Sequence, residues 1–479
     1  MVQAATPPQD PGTDSRRRGK ETPSEASEVG VEQTDQLNRR ALELARYYHG
    51  KIETVPKVPV RSLADFSLWY TPGIAEVCRA IVADPDASFE LTGRWNTIAI
   101  VTDGSRVLGL GNIGPNAALP VMEGKALLFK YLGGVDAIPL PLDVQDPAAL
   151  IDTVARIAPA VGGINLEDIA SPKCFHVLEE LQKRLSIPIW HDDQLGTAAA
   201  TVAGLINALA LTKRDVRDCR TVLLGAGAAN IATARLLIAL GHDPKRMSLV
   251  DSVGILHGER DDIDELMVRN PWKYRVALET DGGGREGGLR EAITGADVLL
   301  AASTPEPGTV KPADIRAMAP SPIVFALANP VPEIWPAVAH EAGAAIVATG
   351  RSDFPNQVNN SLIFPGVFRG ILDARARSIP DGVVLAAAHA LASHAKDRGL
   401  TPQHLLPTMD ELEVFPYVAA AVGTAAVRLG VARRRLSHEE FYDRAHDLMG
   451  RTKRIVEARA RSGLTLPMPD EVKRKKGKR

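Results

Sequence analysis

Cysteine is scarce. The chain of 479 residues holds three, Cys78, Cys174 and Cys219, far apart and in no CxxC pair. That rules out a sequence-local zinc knuckle and suits a reducing compartment. An excess of one charge is lacking too: 56 Lys and Arg face 58 Asp and Glu. Neither nucleic acid nor an acidic membrane is therefore an expected partner. No uninterrupted apolar run reaches ~18 residues, so no membrane span is expected. The N-terminus lacks the apolar core of a secretory signal, and the expected location is cytoplasmic.

What is present is ordinary in bulk, with 45% hydrophobic and 24% charged residues, and the length argues for two or three domains. Residues 1–34 are rich in Pro, Gly, Ser, Thr, Glu and Gln, and read as a disordered tail. Between residues 35 and 200, "NTIAIVTD", "DAIPLPLD", "VGGINLED" and "IPIW" read as strands separated by helices. The alternation restarts over 201–378 with "RTVLLGAG", "RMSLVDSVG", "ADVLLAAS", "PIVFALANP" and "AAIVATG". The expected fold class is α/β, with two doubly wound domains, the second of Rossmann type. Helix-like segments fill 379–468, and 469–479 is a basic tail.

GxGxxG occurs at Gly109, Gly111 and Gly114, and a variant occurs at Gly225, Gly227 and Asn230. The pattern is informative only in context. The second copy follows the strand "TVLL" and opens an apolar helix through Ala228 and Ala229. This is the setting of a dinucleotide site, with pyrophosphate at the helix N-terminus. The next strand ends at Asp251, placed to bond ribose hydroxyls and to repel a 2′-phosphate, which favours NAD over NADP. Asn230 replaces the third glycine and is expected to set the helix slightly farther from the sheet. The first copy is separated from its strand by "DGSR" and reads as a glycine-rich active-site loop.

Two acidic pairs end strands: Glu167 and Asp168 after "GGINL", Asp192 and Asp193 after "IPIW". If the strands share one parallel sheet, both pairs project from its carboxyl edge. They either cap the following helices separately or converge as a hard-oxygen site for Mg²⁺ or Mn²⁺. His191 reads as a hydrogen-bonded structural histidine.

"SLWYTPGIAEVC", "VLGLGNIGPNAALPVMEGKALLFK", "GGINLEDIASPKCF", "HDDQLGTA", "FALANPVPEIWP" and "GRSDFPNQVNNSLIFPGVFRG" together resemble the malic enzymes in their shorter bacterial form. The resemblance implies an oxidative decarboxylation of L-malate to pyruvate and CO₂ with NAD or NADP. It places the catalytic tyrosine at Tyr70 and the catalytic lysine at Lys125. It puts metal carboxylates at Glu167, Asp168 and Asp193, with Asp192 beside them. Asn329, Asn359 and Asn360 become amides facing substrate or nicotinamide, and Arg106 a carboxylate-binding arginine. Leu195 and Asn230 depart from the common bacterial pattern, without removing a catalytic group.

As a base, Lys125 must be neutral near pH 7, so burial and a nearby metal are expected to depress its pKa. A homodimer or larger homo-oligomer is implied, with "RALELARYYHGKIETVP" available to pack on a neighbour. The competing readings are a malolactic or non-decarboxylating dehydrogenase and a non-catalytic metabolite sensor.

Overall fold

The computed structural model describes residues 25–280, 282 and 284–469. Residues 1–24 and 470–479, most of the two tails, lie outside the described residues. The expected disorder over 1–34 is corrected where it can be seen: Glu25–Tyr48 is a helix. Its Glu, Gln, Leu and Arg are good helix formers although too polar for a core. This segment is a unit by itself, distinct from the larger unit that starts at Ile52.

The larger unit contains two parallel sheets. In the first, β1 (Thr97–Thr102), β2 (Asp136–Pro141), β3 (Gly163–Leu166) and β4 (Ile189–His191) lie in the order β2-β1-β3-β4. In the second, β5 (Thr221–Leu224), β6 (Met247–Val250), β7 (Val298–Ala301), β8 (Ile323–Ala326) and β9 (Ile346–Thr349) run β6-β5-β7-β8-β9. Crossing from β6 to β7 reverses the winding beside β5, the switch point at which such sheets open a crevice.

Helix boundaries follow local chemistry. Gly114–Gly133 starts with proline in its first turn and stops at Gly134, which takes the left-handed conformation at φ 63°. Pro147–Ile157 is capped by Asp146, whose side chain accepts from Ala149 N at 2.8 Å. Between the sheets, Thr197–Thr212 is rich in alanine and mostly buried. With the turn before it, this stretch is long and apolar enough to cross a membrane by composition, but it is the core helix of the unit.

The core around the first sheet is closed by aromatic packing. Phe129 meets Phe364 at 4.5 Å and Phe368 at 5.1 Å between ring centroids, and Trp190 of β4 meets Phe368 at 6.5 Å. The helix Phe364–Asp373 therefore covers the first sheet, although its sequence position lies in the segment assigned to the second domain. It in turn packs on Val414–Arg428, and that helix on His438–Arg461. The boundary expected at residue 200 falls inside the helix Thr197–Thr212.

Candidate active site

β3 and β4 are paired in register, Leu166 opposite His191. Each strand ends immediately before its acidic doublet, so Glu167, Asp168, Asp192 and Asp193 leave the sheet at one edge. The two pairs do converge. Glu167, Asp168 and Asp193 offer oxygens that all lie within 4.8 Å of one another. Backbone geometry enforces this: Asp168 is at φ 54°, and its N–H donates to Asp193 Oδ2 at 2.9 Å. The buried Asn165 amide donates to Glu167 Oε2 at 2.8 Å and fixes that carboxylate.

Asp192 has a different task. It is fully buried, its Oδ1 accepts from Trp190 Nε1 at 2.9 Å, and its Oδ2 is paired with Lys125 Nζ. The π-helical turn Asp192–Gly196 presents the doublet and leads into the core helix; such turns recur at functional sites. Gly196 is required there, because a Cβ would collide with the Asp192 carboxylate.

Lys125 comes from the helix Gly114–Gly133. Its Nζ lies 2.9 Å from Glu167 Oε1 and 4.3 Å from the centre of the Phe364 ring. Burial disfavours its charge, but Asp192 and Glu167 outweigh burial and raise its pKa. The depression expected from burial and a nearby metal does not arise from the protein groups alone: its two acidic partners favour the charged form of Lys125. The acids carry the opposite strain. Burial, then the neighbouring carboxylates, raises Glu167 far above its ordinary value despite Lys125. Burial and Asp193 push Asp168 up to about 7. Asp168 Oδ2 is buried without a hydrogen-bond partner among the described residues. Close carboxylates with an orphaned oxygen fit a hard divalent cation, which would replace their mutual repulsion with attraction.

His191 is buried, and burial lowers its pKa toward the neutral ring. Neither ring nitrogen has a hydrogen-bond partner among the described residues, and Nδ1 is 3.7 Å from Asp193 Oδ2. The hydrogen-bonded histidine expected here is therefore corrected: the ring is buried beside the acidic cluster with neither nitrogen satisfied among the described residues.

The loop after β1 completes this edge. Arg106 is exposed, and its N–H donates to the Asp168 carbonyl at 3.0 Å. Asp103 is a residue of this edge that the sequence reading does not single out. It is fully buried, accepts from Ser105 N and Oγ at 3.0 and 2.6 Å, and pairs with Lys173. The signal that locates the other acids, a carboxylate at the end of an apolar strand, is present for Asp103 as well. Gly109, in the first glycine motif, faces the second domain: a Cβ there would lie 3.2 Å from Pro330 Cδ.

In the second sheet, the turn after β5 forms the expected cradle. Gly225 has φ 94° and sits against the Ala302 carbonyl. Gly227, with open space at its missing Cβ, precedes the helix that starts with Ala228 and Ala229. Asn230 does more than replace a glycine. Its buried amide donates to Leu224 O and Gly225 O, both at 2.9 Å, and to Leu300 O at 3.3 Å. It thereby ties the helix to β5 and β7, a tether that the expectation of a more distant helix did not include.

Asp251 follows β6 as expected but is not a free carboxylate. Oδ1 accepts from Arg260 at 3.0 Å and Oδ2 from Lys273 at 3.0 Å. Burial opposes its charge, yet Lys273, the Val253 N–H and Arg260 together hold its pKa below the ordinary value. The repulsion expected toward a 2′-phosphate is offset by these two cations. Asn329 is exposed after β8, beside Gly350, where an added Cβ would lie 2.5 Å from Asn329 Nδ2. Asn359 caps the next turn, its Oδ1 accepting from Ser361 N at 2.9 Å, which leaves both donors of its amide nitrogen and one lone pair of Oδ1 for a ligand. Asn360 lies beside Gly196 and so beside Asp192.

Tyr70 has no side-chain hydrogen bond to Lys125 or to the acidic cluster among the described residues. It is 71% exposed, in a stretch where Leu63, Phe66, Leu68 and Trp69 are exposed too. Lys125 is 8% exposed and is enclosed by Glu167, Asp192 and Phe364.

The match to known proteins spans both sheets. The family model described as malic enzyme, N-terminal domain, matches residues 49–182, and that described as malic enzyme, NAD binding domain, matches 195–427. An NAD-dependent malic enzyme of Geobacillus stearothermophilus is 48% identical over 80% of this chain and 78% of its own. A bifunctional malic/malolactic enzyme of Bacillus subtilis is 45% identical over 86% and 98%. The solved malic enzyme of Entamoeba histolytica superposes with a TM-score of 0.90 at 43% identity, covering 94% of this chain and 93% of that one. That of Pyrococcus horikoshii gives 0.84 at 46%, covering 88% and 98%. An acidic edge with a buried lysine, and a dinucleotide cradle on the second sheet, in a chain so closely matched along its length, lead to one assignment: this chain belongs to the malic enzyme family.

Proposed function

We propose that the chain catalyses L-malate + NAD⁺ → pyruvate + CO₂ + NADH. The observation that supports this most directly is the convergence of Glu167, Asp168 and Asp193 beside Lys125. Those three side chains would hold Mg²⁺ or Mn²⁺, whose contribution is Lewis acidity toward the substrate hydroxyl and the ketone derived from it. NAD, the hydride acceptor, would lie on Gly225, Gly227, Ala228, Ala229 and Asn230, with Asp251 near its ribose.

The chain's own groups divide the remaining work. With a cation held by Glu167, Lys125 would keep one carboxylate partner, Asp192, and its proton affinity would be lowered. It can then take the proton of the malate hydroxyl, with Asp192 orienting its nitrogen. Arg106 binds a substrate carboxylate, while Asn329 and Asn360 orient substrate and nicotinamide through amide hydrogen bonds. Asn359 contributes mainly by shaping that turn. After CO₂ leaves, the enolate carbon needs a proton, and Tyr70 is its donor through Lys125.

Because Tyr70 and its apolar neighbours are exposed in one chain, a second copy is the natural cover for this patch. A homo-oligomer in which the Tyr70 segment completes a neighbour's site follows. NAD is favoured over NADP, in keeping with the Geobacillus relative's name, and the neutralised Asp251 leaves NADP as a weaker alternative. The Bacillus relative's name gives a second reading its basis, a malolactic reaction in which reduced cofactor stays bound.

The experiment follows reduced-cofactor absorbance and CO₂ together, with malate, NAD or NADP, and EDTA, Mg²⁺ or Mn²⁺. Equal yields of CO₂ and NADH, abolished by EDTA, are expected. CO₂ without NADH favours the malolactic reading, and neither product contradicts both.

A further inference from the structure

Away from the acidic edge, several arginines are packed closer than their carboxylate partners can balance. A cavity of about 280 Å³ is lined by Trp95, Glu90, Arg375, Arg434 and Arg444. Arg375 follows the helix Phe364–Asp373, Arg434 precedes the helix His438–Arg461, and Arg444 lies within it. The three guanidinium groups therefore reach the cavity from different backbone positions.

The local pairings are specific. Arg375 donates to Glu90 Oε1 at 2.8 Å. Arg444 donates to Asp373 Oδ1 at 2.5 Å, and its guanidinium lies 5.3 Å from the Trp95 ring centre. Asp373 is shared, since the fully buried Arg369 also holds it, at 2.8 and 2.9 Å. The Arg434 side chain has no hydrogen bond or ion pair among the described residues, although it is partly buried. The ion pairs of Arg369, Arg375 and Arg444 in this cluster go to Asp373 and Glu90, and Glu440, at the start of the helix His438–Arg461, lies near enough to feel the charge of Arg434, so the arginines outnumber the acids around them. Desolvation first, then Arg444 and Arg375, lowers the pKa of Arg434. Arg375 also sits at φ 47°, a left-handed conformation that side chains adopt at a cost.

Crowded, partly desolvated arginines are costly unless an anion joins them. We propose that this cavity binds a small molecule bearing a phosphate dianion. Its charge offsets the positive surplus, and tetrahedral oxygens diverge toward three guanidinium forks, whereas a carboxylate presents two oxygens in one plane. The site stands on residues that play no part in the reaction proposed above, at the opposite end of the helix that begins with Phe364.

The test is calorimetric titration of inorganic phosphate into the full-length chain at constant chloride, with saturating NAD to occupy the dinucleotide cradle. The expected result is one saturable phosphate per chain. Arg434→Gln should weaken it at least about tenfold, Arg434→Lys less, while both variants keep the wild-type circular dichroism. Succinate should displace it poorly. Absence of saturable binding, or equal binding in Arg434→Gln, overturns the proposal. So does preferential binding of succinate. So does a change of oligomeric state in Arg434→Gln without an effect on phosphate, which would place a second copy's carboxylate in the cavity.

Discussion

The two sheet edges differ in how they settle charge. At the first, four carboxylates (Glu167, Asp168, Asp192 and Asp193) stand around one lysine, and burial raises the pKa of Glu167 and Asp168. At the second, Asp251 and Asp262 are matched by Arg260 and Lys273. An edge left with surplus negative charge is prepared for a cation and for proton transfer. An edge balanced within itself is prepared to hold a ligand without changing it. On the function proposed above, proton transfer and cofactor binding fall mainly to different sheet edges.

The contrast can be broken most severely at Lys125. Lys125→Ala should lower kcat on the order of 10²–10⁴-fold, read from NADH formation, with the fold retained by circular dichroism. Retained turnover would remove the proton-transfer role. Asp192→Asn keeps the volume and the Trp190 contact but not the charge beside Lys125, and a loss of roughly 10–100-fold is expected. Its pH–rate profile should shift, which a purely structural role would not produce.

Cofactor variants should behave differently. Lys273→Ala leaves Asp251 with a single cation and is expected to raise KM for NADP several-fold, with little change in kcat for NAD. Side-by-side kinetics decide this, and a large fall in kcat with both cofactors would contradict the division between edges.

How far the sequence can lead is visible in particular residues. The strands and their order of appearance are legible because most are short apolar runs closed within a few residues by a glycine, an acid or an asparagine. The proposed metal carboxylates are legible because doublets at the ends of such runs share an edge once β3 and β4 pair. The partners of Asp251 are not, since Arg260 and Lys273 arrive from the long crossover after β6 and only packing selects them. The charge state of Lys125 is also hidden, because two carboxylates rather than burial decide it. The position of Tyr70 depends on which surface covers the exposed segment at residues 63–74, and the linear motif carries no information about that. The helix Glu25–Tyr48 escapes a reading by composition, which reports the lack of a core and not the lack of a helix.

The smallest expected effect is on stability without metal. The folded pKa of Asp168, about 7, lies above its ordinary value, so the folded chain binds that proton more tightly than the unfolded chain. Its contribution is most favourable below the unfolded pKa and is lost as pH rises toward 7. Thermal unfolding in EDTA should therefore shift to lower temperature between about pH 5 and 7.5. Mg²⁺ should flatten that slope.

Direct titration of Mn²⁺ into EDTA-stripped protein tests the central claim, a cation held between the ends of β3 and β4. One tightly bound ion per chain is expected in the wild type, with none in the Glu167→Gln, Asp193→Asn double variant. Unchanged stoichiometry and affinity in that variant would contradict it.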